Sequence, residues 1–163
     1  MANTYTQIYI HLVFAVQGRM SLIRKSWKND LERYITGIVQ NHAHKLIIIN
    51  SQPDHVHMLI GLNPDDALSD LMRNVKASSS KCINEHRWVA GKFRWQEGYG
   101  AFSVSRSVLP KVIRYIERQE EHHASRSFKN EFRALLDKYE VEYIEAYLFD
   151  DVDEESVREA IAE

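Results

Sequence analysis

The sequence contains one cysteine, Cys82, and no long uninterrupted apolar run. A lone thiol excludes an internal disulfide framework and fits a reducing compartment, where it packs as a small hydrophobe. No stretch approaches the roughly 20 apolar residues that a spanning helix requires. The opening Met1-Ala2-Asn3-Thr4-Tyr5 lacks a basic segment followed by an apolar run. Neither secretion nor membrane insertion is expected, and the expected location is the cytoplasm. With three prolines and six glycines, no Gly- or Pro-rich linker divides the chain. What is present is 163 residues, 44% of them hydrophobic, enough for one well-buried core and too few for two comfortable domains. The expectation is a single domain over residues 1–150 and an acidic tail over 151–163.

Charge of one sign is locally scarce as well. Between Asp150 and Glu163 seven acids face the single base Arg158, whereas between Arg73 and Arg118 ten bases face three acids. The net charge of −2 therefore conceals a basic middle. A basic stretch of this kind either lies along a phosphate backbone or forms a solvated helix face, and charge alone does not choose between them.

Hydrophobic periodicity organises the chain. Ile8, Ile10, Leu12 and Phe14 alternate with Gln7, Tyr9, His11 and Val13, the pattern of a half-buried strand. Ser26 reads as the N-cap of a helix carrying Trp27, Leu31, Tyr34, Ile35 and Ile38 at helical spacing. Leu46 to Ile49 is a short continuous run, as in a strand buried on both faces. The turn Gln52-Pro53-Asp54 leads into a third strand from His55, close enough for a hairpin. Asn63-Pro64-Asp65-Asp66 opens a helix with a stripe of Leu68, Leu71, Met72, Val75, Cys82 and Ile83. A segment of bases and aromatics, Arg87 to Gln96, suits either stacking on unpaired bases or packing beneath a loop. Ala101 to Ser105 reads as a fourth strand. The resulting order, strand, helix, strand, strand, helix, strand, is the ferredoxin-like βαββαβ plan of an α+β fold with an antiparallel sheet. Two further helices are expected. Ser107 caps the first, which has Pro110 in its first turn and runs to about His122, and Phe128, Phe132, Leu135, Leu136 and Tyr139 define the second.

Several of these elements contain candidate functional groups. On the third strand His55 and His57 point to the same face, roughly 7 Å apart at their roots, opposite Val56, Met58 and Ile60. Two imidazoles so placed can chelate a divalent ion, although the same pattern also occurs on ordinary half-exposed strands. On the helix after Ser107, Tyr115 and Gln119 are four apart and project as neighbours from one face. His11 on the first strand faces the same region if the two strands are adjacent, as a packing or supporting group. Along the basic middle, Arg73, Lys76, Lys81, Arg87, Lys92 and Arg94 are candidates for contact with a DNA backbone.

Four blocks resemble the single-tyrosine transposases of the HUH (histidine-hydrophobe-histidine) superfamily, the insertion-sequence 200/605 group and its REP-associated relatives. They are Tyr9 to Phe14, Pro53 to His57, Trp95 to Ser105, and Tyr115 to His123. Order and spacing agree from about Tyr5 to Asp150. The resemblance implies that His55, His57 and Gln119 bind a divalent metal, Mg2+ or Mn2+, and that Tyr115 is the nucleophile. It implies attack on single-stranded DNA marked by hairpins, through a 5′-phosphotyrosine intermediate, by a homodimer whose sites can be shared between subunits. His122 and His11 are then candidate supporting residues. The alternatives are a domesticated REP-associated hairpin nickase and a catalytically silent hairpin-binding module.

Overall fold

The computed structural model describes residues 3–121 and 127–149. Four strands form an antiparallel sheet in the order β2-β3-β1-β4: β1 is Tyr9–Ala15, β2 Lys45–Gln52, β3 His55–Gly61 and β4 Gly100–Val104. The helices that link them in sequence are α1, Lys25–Asn41, and α2, Leu68–Glu85, followed by α3, Leu109–Glu117, α4, Phe128–Lys138, and the short α5, Glu145–Leu148. This is the expected ferredoxin-like α+β arrangement. The acidic tail over 151–163 lies outside the described residues, as does His122.

Strand alternation divides the side chains between two layers. Leu12 and Phe14 of β1 and Val56, Met58 and Ile60 of β3 face the buried stripes of α1 and α2, including Leu31, Ile35, Leu71 and Val75. The opposite face carries His11, Val13 and Ala15 from β1 and His55, His57 and Leu59 from β3, and here α3 and α4 pack. Phe128, Phe132, Leu135 and Leu136 of α4 cover Val13, Ala15 and Phe102. Leu109 and Ile116 of α3 cover Leu59 and Val104. At Gly100 a Cβ would lie 2.7 Å from Phe132 Cε2, so only glycine lets α4 approach β4 this closely.

Several local expectations require correction. Ser26 lies inside α1, whose N-cap is Arg24, and Ser107 lies in a 3-10 turn, Arg106–Val108, with Val108 as the N-cap of α3. The run through Leu46 to Ile49 belongs to an edge strand, only partly buried. A register shift between Leu46 and Ile48 turns Ile47 and Ile48 toward α3 and leaves Leu46 and Ile49 with the first core. Both faces are apolar even though the outer edge is open. The aromatics after α2 also belong to the core. Phe93 is fully buried, Trp95 is 8% exposed and donates from Nε1 to Ser79 Oγ at 2.9 Å, and Trp88 stacks on Trp27 at 5.2 Å between ring centres. Packing beneath the loop, rather than base stacking, occupies these rings.

Candidate active site

The hairpin joining β2 to β3 fixes the first half of the site. Its turn residues are anchored by backbone bonds, Val16 N–H to Asp54 O and Ile23 N–H to Pro53 O, both 2.9 Å. Asp54 then places its Oδ1 2.6 Å from His55 Nδ1. A carboxylate on one ring nitrogen keeps the proton there and turns the Nε2 lone pair into the site, the support commonly given to a metal-ligating imidazole. His57 is held in the same manner by His11, whose Nε2 lies 2.8 Å from His57 Nδ1. His11 pairs in register with Leu59, so it reaches His57 along the diagonal of the β1–β3 ladder. Burial first, and then the charge of His57, lowers the pKa of His11 to about 3. His11 is therefore neutral and its Nε2 can accept a hydrogen bond from His57 Nδ1–H, which leaves His57 Nε2 facing inward. The supporting role expected of His11 is the one its geometry permits.

The second half comes from α3 and the backbone just after it. The helix stops at Glu117, and Arg118 leaves helical geometry at φ −97° and ψ 24° before helical backbone resumes at 119–121. The expected unbroken helix to His122 is thus interrupted. Asn50, opposite His57 in the β2–β3 register, donates from Nδ2 to Ile116 O at 2.8 Å, satisfying a terminal carbonyl that the helix no longer uses. Across this break Gln119 is fully buried. Its Oε1 is 3.3 Å from His55 Nε2, while its Nε2 donates to Tyr115 O at 3.4 Å. The Tyr115 ring stands nearly perpendicular to His57, with centres 5.8 Å apart.

One member of the cluster was absent from the sequence expectations. Glu131 of α4 is 2% exposed, and its Oε1 lies 2.6 Å from His57 Nε2 and 3.6 Å from His55 Nε2. Burial pushes its pKa up, but the hydrogen bond from His57, the charges of His57 and His55, and a hydrogen bond from the Tyr115 phenol outweigh it, and the net shift is downward. The carboxylate thus joins the histidine pair to the tyrosine. Its sequence signal is position. At three residues after Phe128 and four before Leu135 it falls on the apolar stripe of an amphipathic helix, where an unpaired acid would be expensive to bury.

The donor set fits a divalent cation. Ligand atoms of His55, His57 and Glu131 lie within 4.8 Å of one another, all three residues buried, with the Gln119 amide oxygen beside them. Two imidazoles, a carboxylate and an amide oxygen suit manganese or magnesium, and lack the thiolates of closed structural zinc sites.

The basic residues named from sequence lie elsewhere. Arg73, Lys76 and Arg94 line a groove between α2 and the loop before β4, on the sheet face opposite the histidines. Arg87 and Lys92 line a separate hollow. Several are already engaged: Arg73 pairs with Asp70 at 2.9 Å and Lys81 with Glu85 at 3.8 Å. Lys76 donates to Gln96 O at 2.8 Å and to Gly98 O, closing the loop onto α2.

A four-stranded antiparallel sheet whose central strand sets two histidines against a tyrosine on a covering helix defines the class of domain. The chain belongs to the IS200-like transposase family, whose model matches residues 4–119. It is 25% identical over 120 residues to the ISDra2 transposase TnpA of Deinococcus radiodurans, which spans 69% of this chain and 84% of that protein. Among solved structures, a protein from Deinococcus radiodurans R1 described as a transposase superposes with a TM-score of 0.58 at 21% identity, covering 73% of this chain and 95% of its own. A REP-associated tyrosine transposase bound to a REP hairpin superposes with a TM-score of 0.59 at 15% identity, covering 76% and 73%. Among the described residues no helix is long and apolar enough to cross a membrane.

Proposed function

We propose that this transposase cleaves and rejoins single-stranded DNA at hairpin-marked sites, with Tyr115 as nucleophile and His55, His57, Gln119 and Glu131 holding Mg2+ or Mn2+. The observation that carries the reading is the Tyr115 ring 5.8 Å between centres from His57, whose Nε2 lies 2.6 Å from Glu131 Oε1. It supports a reading in which a nucleophile and a cation-binding cluster share one point. A fold shared with a REP-hairpin complex supports a hairpin as the binding partner.

In the step proposed, the Tyr115 oxygen bonds to phosphorus and the bond from phosphorus to the 3′-oxygen breaks. The net proton transfer runs from the phenol to the departing 3′-oxygen. The product is a 5′-phosphotyrosine and a free 3′-hydroxyl, and a second 3′-hydroxyl reverses the exchange. An ordinary phenol, with a pKa near 10, is only about 0.1% ionised at neutral pH. Full transfer of its proton to a carboxylate of ordinary or lower pKa is uphill by at least about 5 units, about 7 kcal/mol. Glu131 therefore aims the phenol rather than deprotonating it. A cation held by His55, His57, Gln119 and Glu131 would, when bound, offset the negative charge that builds on the phosphate oxygens. Asp54 and His11 act by fixing the rings of His55 and His57. Because the Tyr115 ring lies 5.8 Å between centres from His57 of the same chain, we infer that Tyr115 works in cis in this arrangement.

The test is incubation of the protein and Mn2+ with single-stranded oligonucleotides copied from the DNA flanking its gene, followed by a denaturing gel. A covalent adduct is expected from the wild type and from neither Tyr115→Phe nor His57→Ala. An adduct retained by Tyr115→Phe would remove the nucleophile assigned here.

A further inference from the structure

Beside the cluster, between α3, α4 and the open edge of β4, lies a cavity of about 540 Å3 whose lining includes His11, Tyr115, Val112, Leu135, Lys138 and Tyr139. That volume is within the range of small-molecule and cofactor sites, roughly 300–1,000 Å3. Lys111, also on its wall, stands one helical turn before Tyr115 on α3, and Lys138 reaches in from α4. Both lysines are exposed. Among the described residues no carboxylate pairs with either one, in contrast to Arg73 and Lys81, which are ion-paired. The apolar wall includes the Tyr139 ring, which is fixed by stacking on Phe102 at 4.8 Å between centres.

We propose that this cavity is the subsite for the nucleotide that stays joined to Tyr115 through its 5′-phosphate, with its base and sugar against Val112, Leu135 and Tyr139 and the following phosphate between Lys111 and Lys138. The proposal rests on the cleavage reading above. The retained nucleotide is tethered to the Tyr115 oxygen by one phosphodiester, so it must lie in space that Tyr115 itself borders. Cations on α3 and α4 that meet no carboxylate among the described residues match the charge of the next phosphate. Lys138 Nζ stands 5.7 Å from the Tyr139 ring centre, so a cation and an aromatic side chain meet on one wall, as suits a nucleotide. Selectivity at this position would then follow from the shape of the Val112, Leu135 and Tyr139 wall.

The experiment uses the full chain and two oligonucleotides in which the bond cut by the wild type has been mapped. 5-Iodo-2′-deoxyuridine replaces the first nucleotide on the 3′ side of that bond in one and on the 5′ side in the other. Each is irradiated with Tyr115→Phe protein, and the crosslinked peptide is identified by mass spectrometry. The 3′-side probe is expected to crosslink to the peptide containing Tyr139, and the 5′-side probe is not. In otherwise wild-type protein, Lys111→Ala together with Lys138→Ala should lower cleavage kcat/KM at least 10-fold with an unchanged melting temperature. A wild-type adduct combined with a 3′-side crosslink elsewhere, or with undiminished cleavage by the lysine variant, would overturn the subsite alone. Absence of any wild-type adduct would overturn the cleavage reading and the subsite with it.

Discussion

Glu131→Gln isolates the charge of the one cluster member that the sequence did not announce. Glutamine keeps the length and one oxygen of glutamate, so the space among His55, His57 and Tyr115 stays filled and the substitution removes little but the negative charge. That charge sits 2.6 Å from His57 Nε2 and 3.6 Å from His55 Nε2, where a cation bound by both rings would also meet it. Two unit charges about 4 Å apart are worth about 4 kcal/mol at an effective dielectric of 20, and a dication at ligand distance more, offset by the desolvation that a neutral amide avoids. Removing groups that only support a metal ligand already weakens binding about 10–100-fold. Loss of the ligand charge should weaken Mn2+ binding by at least that factor, or about 1.4–2.7 kcal/mol. Isothermal titration of Mn2+ into both proteins, with near-UV circular dichroism to confirm the fold, measures it. A variant that binds Mn2+ within about threefold of the wild type would show that Glu131 is not a ligand.

Gly100→Ala tests the approach of α4 to the sheet. The new methyl would meet Phe132 Cε2 at 2.7 Å, and overpacking of this kind destabilises by about 1–3 kcal/mol. Urea unfolding should show that loss, and Mn2+ affinity should fall with it because Glu131 rides on the displaced helix. Asp66→Asn tests a second polar cluster, in which Asp66 Oδ2 lies 2.7 Å from His44 Nε2 and 2.8 Å from His42 Nδ1. The His44 hydrogen bond leads the causes that hold the Asp66 pKa below its usual 3.8. A lowered carboxylate pKa contributes stability above the unfolded value and loses it as pH falls through the folded value. Wild type should therefore melt above Asp66→Asn near pH 7, and the difference should shrink as pH falls below about 3.8, the usual value, and through the lower folded value. A gap that widened on acidification would contradict this sign.

The parts of the site that were legible in sequence are those set by local periodicity. Strand alternation put His55 and His57 on one face, helical spacing put Gln119 beside Tyr115, and the order of strands implied the sheet that brings β1 next to β3. The β1–β3 register then carried His11 to His57. Glu131 was not legible because its partner His57 lies 74 residues away and no local pattern links them. Only its place on an apolar stripe marked it. The break at Arg118 was equally hidden, since it depends on Asn50 reaching across from β2 to take the Ile116 carbonyl. Trp88 and Trp95 were ambiguous for the opposite reason. Their composition suits either base stacking or core packing, and only the tertiary placement of Trp27, Phe14 and Ser79 decides for packing.

The central claim is that one chain assembles the whole cleavage site, and mixing two inactive variants tests it most directly. Tyr115→Phe retains the histidine pair, and His57→Ala retains the phenol. If the site is formed within each chain, an equimolar mixture, unfolded and refolded together to permit exchange, yields no adduct with a substrate that the wild type cleaves. Adduct restored in the mixture would mean that Tyr115 reaches the histidines of a second copy, contradicting the arrangement of Tyr115, His57 and Glu131 described here.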